Sequence, residues 1–173
     1  MKNIYLITFA ILIHVLSTGK AFSQDFRLQQ YISSAEKITA RAETEKYYWV
    51  GSNHGLYCIR KKGDKVYHLT QENSILLSDT ITSIATKSNG EVYIGTNKGI
   101  VRYDNYAFLL LTDENSPLRS NKITSLVCLN GTEIFAGTFD GGITIFSDLR
   151  NKTFTTKNAS LSSLRETIKE WWA

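Results

Sequence analysis

The chain has little of what usually announces chemistry. Its 173 residues include 1 Pro, 2 Cys and 3 His. One proline argues against a linker-rich or disordered chain. So do a hydrophobic content of 42% and a charged content of 21%, which are ordinary for a folded protein. Cys58 and Cys128 form no CxxC pair and no Cys/His cluster, so nothing suggests a metal. Beyond the first residues only His54 and His68 remain. There is no Ser/His/Asp order, no phosphate-binding loop and no HExxH motif. Asp104–Phe108 lacks the spaced carboxylates that calcium needs. The densest basic spot is Arg60–Lys62, which is no stripe, so nucleic acid is disfavoured as a partner. The expectation is a chain without catalytic residues, metal or cofactor.

The N-terminus must be set aside before the fold is read. Lys2 is followed by an apolar run from Ile4 to Leu16, which is signal-peptide length and too short for a comfortable membrane span. Ala21 and Ser23 are the small residues expected before a cut at Gln24. Residues 1–23 therefore read as a signal peptide, and membrane contact is expected only through that leader or a C-terminal part beyond this sequence. Without Lys2 and Lys20, 18 basic residues face 16 acidic ones, a net charge of +2. Export would permit a disulfide. The repeat puts the two cysteines in different units, so two separate buried thiols are expected.

What the chain does have is a repeat. "YYWVGSNHGLYCI" begins at Tyr47, "EVYIGTNKGIVRY" at Glu91 and "EIFAGTFDGGITIF" at Glu133. An aromatic (Trp49, Tyr93, Phe135) stands two residues before a Gly (Gly51, Gly95, Gly137), and Ser52, Thr96 or Thr138 follows. A second Gly comes at Gly55, Gly99 and Gly141. "IT" recurs at Ile38, Ile81 and Ile123. "TQENS" from Thr70, "TDENS" from Thr112 and the weaker "TKNAS" from Thr156 make a third marker. All three keep a period near 42 residues. Four-stranded propeller blades and paired-helix solenoids both have such periods.

The pattern within a unit decides between them. Residues 81–87 are a β-branched run, and "SNG" from Ser88 is a turn. Residues 91–96 and 99–104 are further runs, separated by a tight "NKG" connection. "DNY" from Asp104 turns the chain into a fourth run, "AFLLLT". No stretch has room for a helix. The fold class is all-β, with three four-stranded antiparallel blades over 38–74, 81–116 and 123–160. Residues 24–37 read as a leading outer strand, and 161–173 as the start of an unfinished fourth blade, with Ile168 in phase. Glycine inside a strand weakens pairing, so its recurrence suggests close approach by a neighbouring sheet.

Residues 81–104 closely resemble the two-component regulator propeller repeat. Ile81, Ser83, Ile84, Gly90, Tyr93, Ile94, Gly95, Thr96, Gly99, Ile100 and Tyr103 fill its slots. The third unit departs, with Ala136 for Ile and Gly142 for Leu. The resemblance implies a periplasmic sensing module of a histidine-kinase receptor, one that binds carbohydrate breakdown products. The kinase and regulator parts are absent from this sequence, so the expectation is an N-terminal fragment of a receptor. The competing expectations are a stand-alone exported module that completes its ring with another chain, and an exported propeller enzyme such as a glycan lyase.

Three blades are too few for a ring, which needs typically four to eight. A blade face is about 300 Å² from strand spacing and length. Leaving one wet forgoes roughly 8 kcal/mol. Further blades or a partner chain are therefore expected. Any oligosaccharide or other small ligand should meet the second-to-third-strand turns, which vary between fixed glycines. These carry Asn53 and His54, Asn97 and Lys98, and Phe139 and Asp140. Phe139 could stack on a sugar ring while Asn97 and Asp140 bond hydroxyls. The plainer reading is solvated hairpin tips. Asp104, Asp113 and Asp140 are expected to cap their own turns.

Overall fold

Turn chemistry sets the strand limits. Gly90 (φ 87°) allows the sharp reversal after Ser88, and Asn105 (φ 77°) does the same at the next turn. Between such turns the β-branched and aromatic runs are extended. The structure, a computed structural model, describes residues 36–63, 65–147 and 152–154. Twelve strands and no helix lie among them, all within the unit Lys37–Ala173. The signal peptide, the fourth-blade start and most of the leading strand expected over 24–37 fall outside the described residues. Glu36 and Lys37 belong to no strand.

The first sheet holds β1 (Ile38–Glu43), β2 (Tyr47–Ser52), β3 (Gly55–Arg60) and β4 (Val66–Leu69). The second holds β5 (Ile81–Thr86), β6 (Val92–Thr96), β7 (Gly99–Tyr103) and β8 (Phe108–Leu111). The third holds β9 (Ile123–Leu129), β10 (Glu133–Thr138), β11 (Ile143–Phe146) and β12 (Lys152–Phe154). Each is an antiparallel meander in sequence order. These are three propeller blades, and they close no ring. Trp49, Tyr93 and Phe135 hold equivalent places, opposite Ala42, Ala85 and Val127 on the first strands.

The blades stack in chain order, with β1 against β5 and β5 against β9. The middle blade is therefore buried on both faces. Val92, Ile94 and Val101 join Trp49, Leu56 and Cys58 in one core. Ala85, Tyr93 and Ile100 join Leu126, Ile134 and Phe146 in the other. Aromatic pairs cross both seams. Trp49 lies 5.4 Å from Tyr103, and Tyr93 lies 6.1 Å from Phe146, centroid to centroid.

Each repeated marker has a mechanical role. A Cβ built on Gly51 would strike Ile81, and one on Gly95 would come within 2.8 Å of Ile123 Cγ2. The "IT" isoleucine of one blade thus fills the strand glycine of the blade before. The Ser or Thr after that glycine clamps its own hairpin. Thr96 Oγ1 donates to Gly99 O at 2.9 Å and accepts from Lys98 N at 3.1 Å. Ser52 and Thr138 make the same pair of bonds. The Asn-Ser tail shapes the link between blades. Asn115 Oδ1 accepts from Thr112 N, and Ser116 Oγ donates to Thr112 O. Asn73 and Ser74 repeat this around Thr70. The links seat Leu76 and Leu118, both buried, in the two cores.

One equivalence expected from spacing is corrected. Gly142 (φ 82°), not Gly141, matches Gly55 and Gly99 in positive φ and in accepting the Thr clamp. The third hairpin carries one extra residue, so the spacing of four points to the wrong glycine. With that shift, Ile143 opposite Gly137 takes the place of Leu56 opposite Gly51 and Ile100 opposite Gly95. The departure at Gly142 disappears.

Candidate recognition rim

The β2–β3, β6–β7 and β10–β11 turns place all six expected residues at the surface. Their backbones tie them to the inter-blade links. Gly55 N donates to Asp79 O at 2.7 Å, and Phe139 N donates to Lys122 O at 2.9 Å. Turns and links therefore share one rim. Asn53 is held there at both ends. Its Oδ1 accepts from Lys37 N at 2.8 Å, and its own N donates to Lys37 O at 3.2 Å.

The second histidine is structural. His68 Nε2 lies 2.8 Å from His54 O, an acceptor only, which requires the proton on that nitrogen. Its ring stacks on Tyr57 at 4.2 Å with a 1° interplanar angle. His54 is exposed, and its backbone is fixed by Ser52 Oγ. Asn97 and Lys98 stand out from the middle turn, where Lys98 N is clamped by Thr96.

Phe139 is the most distinctive of the six. It is 67% exposed, unusual for an aromatic held by a rigid hairpin. Lys122 Nζ sits 3.8 Å from the ring centroid, so a cation covers one ring face. The rim thus offers an aromatic plane with a positive charge on one face, and the exposed Asp140 follows it in the same turn. Among the described residues no hydrogen bond or ring contact joins one of the three turns to another. The rim is a row of separate stations.

Sequence reasoning missed Lys122. The signal was there, because Lys37 and Lys122 both immediately precede the "IT" isoleucine. Of the turn aspartates, Asp104 does cap its backbone, accepting from Tyr106 N and Ala107 N at 3.0 and 2.9 Å. Those bonds hold its carboxyl below the usual carboxylate range. Asp113 instead accepts from Asn121 Nδ2 at 2.6 Å.

A buried ionic group lies at the opposite end of the middle blade. Glu91 accepts from Arg102 Nη2 at 2.7 Å, faces Lys87 Nζ at 3.7 Å and receives the Tyr93 hydroxyl at 3.4 Å. It ties the β5–β6 turn to β7. The cysteines lie in different sheets as free thiols, Cys58 buried and Cys128 half-buried. Burial pushes the Cys58 thiol up to about 12 and raises that of Cys128, which disfavours the thiolate form of each.

Fold and rim together define a class: an open stack of propeller blades with variable turns on one edge. Solved structures share that fold. The extracellular domain of BT3049 from B. thetaiotaomicron, described as a hybrid two-component system, aligns at TM-score 0.60 and 24% identity. The corresponding domain of BT4673 from the same organism aligns at 0.55 and 16%. PorZ, a surface component of the type-IX secretion system of Porphyromonas gingivalis, aligns at 0.50 and 22%. The alignments cover 72%, 73% and 67% of this chain but only 18%, 17% and 18% of those chains. This chain thus spans about a fifth of their length. No protein-family model and no curated protein matches it.

Proposed function

We propose that the chain is the ligand-sensing propeller part of an exported two-component receptor. It supplies three blades of a larger periplasmic domain, while kinase and regulator functions reside elsewhere. The observation that carries this reading is the exposed Phe139, held on a rigid hairpin with Asp140 beside it. Rigid aromatic planes with adjacent hydrogen-bonding groups suit sugar rings, which present an apolar face and a rim of hydroxyls. Likeness in fold to extracellular domains of hybrid two-component systems supports the receptor context. The N-terminal apolar run supports export. The reading assigns no catalytic role to this chain.

The test is calorimetric titration of the chain with a panel of plant and host oligosaccharides. At least one should bind, and Phe139→Ala should weaken it tenfold or more, about 1.4 kcal/mol. Binding that is indifferent to Phe139→Ala removes the rim from the proposal. A panel with no binder removes carbohydrate.

A further inference from the structure

The end of the first blade opposite the recognition rim carries its β1–β2 and β3–β4 turns. Arg60–Lys62 is a short basic run in the sequence, and the fold adds to it. Lys61 N donates to Lys46 O at 2.9 Å, and Arg60 N donates to Lys65 O at 3.0 Å. The two turns thus gather Lys46, Arg60, Lys61, Lys62 and Lys65 at one corner, against Glu43, Glu45 and Asp64. That surplus of two positive charges equals the net charge of the whole chain after residue 23. At the same end of the middle blade, Lys87 and Arg102 are matched by Glu91 and Asp104.

One of the five cations is engaged. Lys61 Nζ lies 3.3 Å from Glu43 Oε2 and 4.8 Å from the Tyr48 ring centroid. Lys46, Arg60, Lys62 and Lys65 are exposed and make no ion pair among the described residues. Two exposed aromatics share this end of the stack. Tyr67, two residues past Lys65, is 45% exposed, and Tyr106, on the β7–β8 turn, is 95% exposed. The Asp104 carboxylate accepts from Tyr106 N and Ala107 N, and the Tyr103 hydroxyl donates to Asn105 O, so the Tyr106 turn is held firmly.

We propose that this corner rests on a membrane surface rich in anionic phospholipid. Its cations stand on turn tips, which are convex. Convex, long side chains suit an extended sheet of headgroup charge, whereas a discrete small anion is bound in a concave site. Each lysine or arginine near such a surface adds to the attraction, and tyrosine rings settle at headgroup level. The recognition rim, at the other end of the blades, then faces away from the bilayer. This contact is additional to any made by the leader, and it does not depend on what the rim binds.

Flotation of the full chain with lipid vesicles tests this. Phosphatidylcholine vesicles give the background set by the apolar N-terminal run. Vesicles that also contain phosphatidylglycerol should bind the wild type about tenfold more tightly. That excess should vanish at about 1 M salt, where charges are screened within about 3 Å. The double variant Lys62→Glu, Lys65→Glu should lose most of the excess with an unchanged circular dichroism spectrum. Lys98→Glu with Lys122→Glu makes the same change of net charge on the recognition rim and should keep it. No excess on anionic vesicles overturns the proposal. So does an excess that survives salt or the corner variant, or one that the rim variant loses equally. Corner-dependent retention on immobilised polygalacturonate without vesicle binding overturns it too, and assigns the corner to an acidic glycan.

Discussion

Gly95 has no room for a methyl group. Ile123 of the next blade stands 2.8 Å from where its Cβ would be, and the Ser83 hydroxyl is at 2.6 Å. The serine can rotate, but the isoleucine is 1% exposed in a packed core. Gly95→Ala should therefore destabilise the chain by about 1–3 kcal/mol, the usual result of overpacking. Urea denaturation checks it; an unchanged midpoint would show that the seam can open without strain. Asp104 gives a pH-dependent effect. Its folded value lies below the usual one because the Ala107 and Tyr106 amides bond the carboxylate. Its contribution is then complete above the unfolded value, ~3.9, and lost as pH falls through the lower folded value. Asp104→Asn cannot ionise, so its stability deficit at pH 7 should shrink towards zero in acid. A deficit constant from pH 7 to pH 3 would refute the cap.

At the scale of the element, the hairpin clamp is the unit. Thr96 is fully buried, and its hydroxyl both donates to Gly99 O and accepts from Lys98 N. Thr96→Val keeps the shape and removes both bonds, leaving a buried carbonyl short of a partner. The expected cost is about 1–3 kcal/mol in thermal or urea melts. Equal stability would mean that water replaces the hydroxyl. This clamp shows how legible the elements were. Strand runs, turns and the Gly-Ser/Thr signature could be read because they are local, depending on residues two to four apart. The mistaken glycine in the third hairpin came from the same source. Spacing counts residues, while the clamp follows backbone conformation, and one inserted residue separates the two.

For the whole molecule, the middle blade belongs to both cores, which makes the three blades one cooperative unit. Ile94 is fully buried in the seam with the first blade. Ile94→Ala should lower stability by about 2–5 kcal/mol while unfolding remains a single transition. Two resolved transitions would show that the blades melt separately, as loosely coupled repeats can. Of the rim, the six turn positions were legible because hairpin tips face solvent in any meander. Lys122 under Phe139 was not read, because the lysine lies 17 residues earlier in the chain, its place before the "IT" isoleucine does not say which ring it meets, and the contact forms only once the blade folds.

The repeat, the four-strand blade and the turn positions were readable before folding, because periodicity and turn preference are properties of short stretches of chain. What the strand glycines are for, and that Gly51 receives Ile81 and Gly95 receives Ile123, emerged only from the folded chain. Those facts concern atoms of different blades brought to van der Waals distance, and no local pattern records which neighbour arrives.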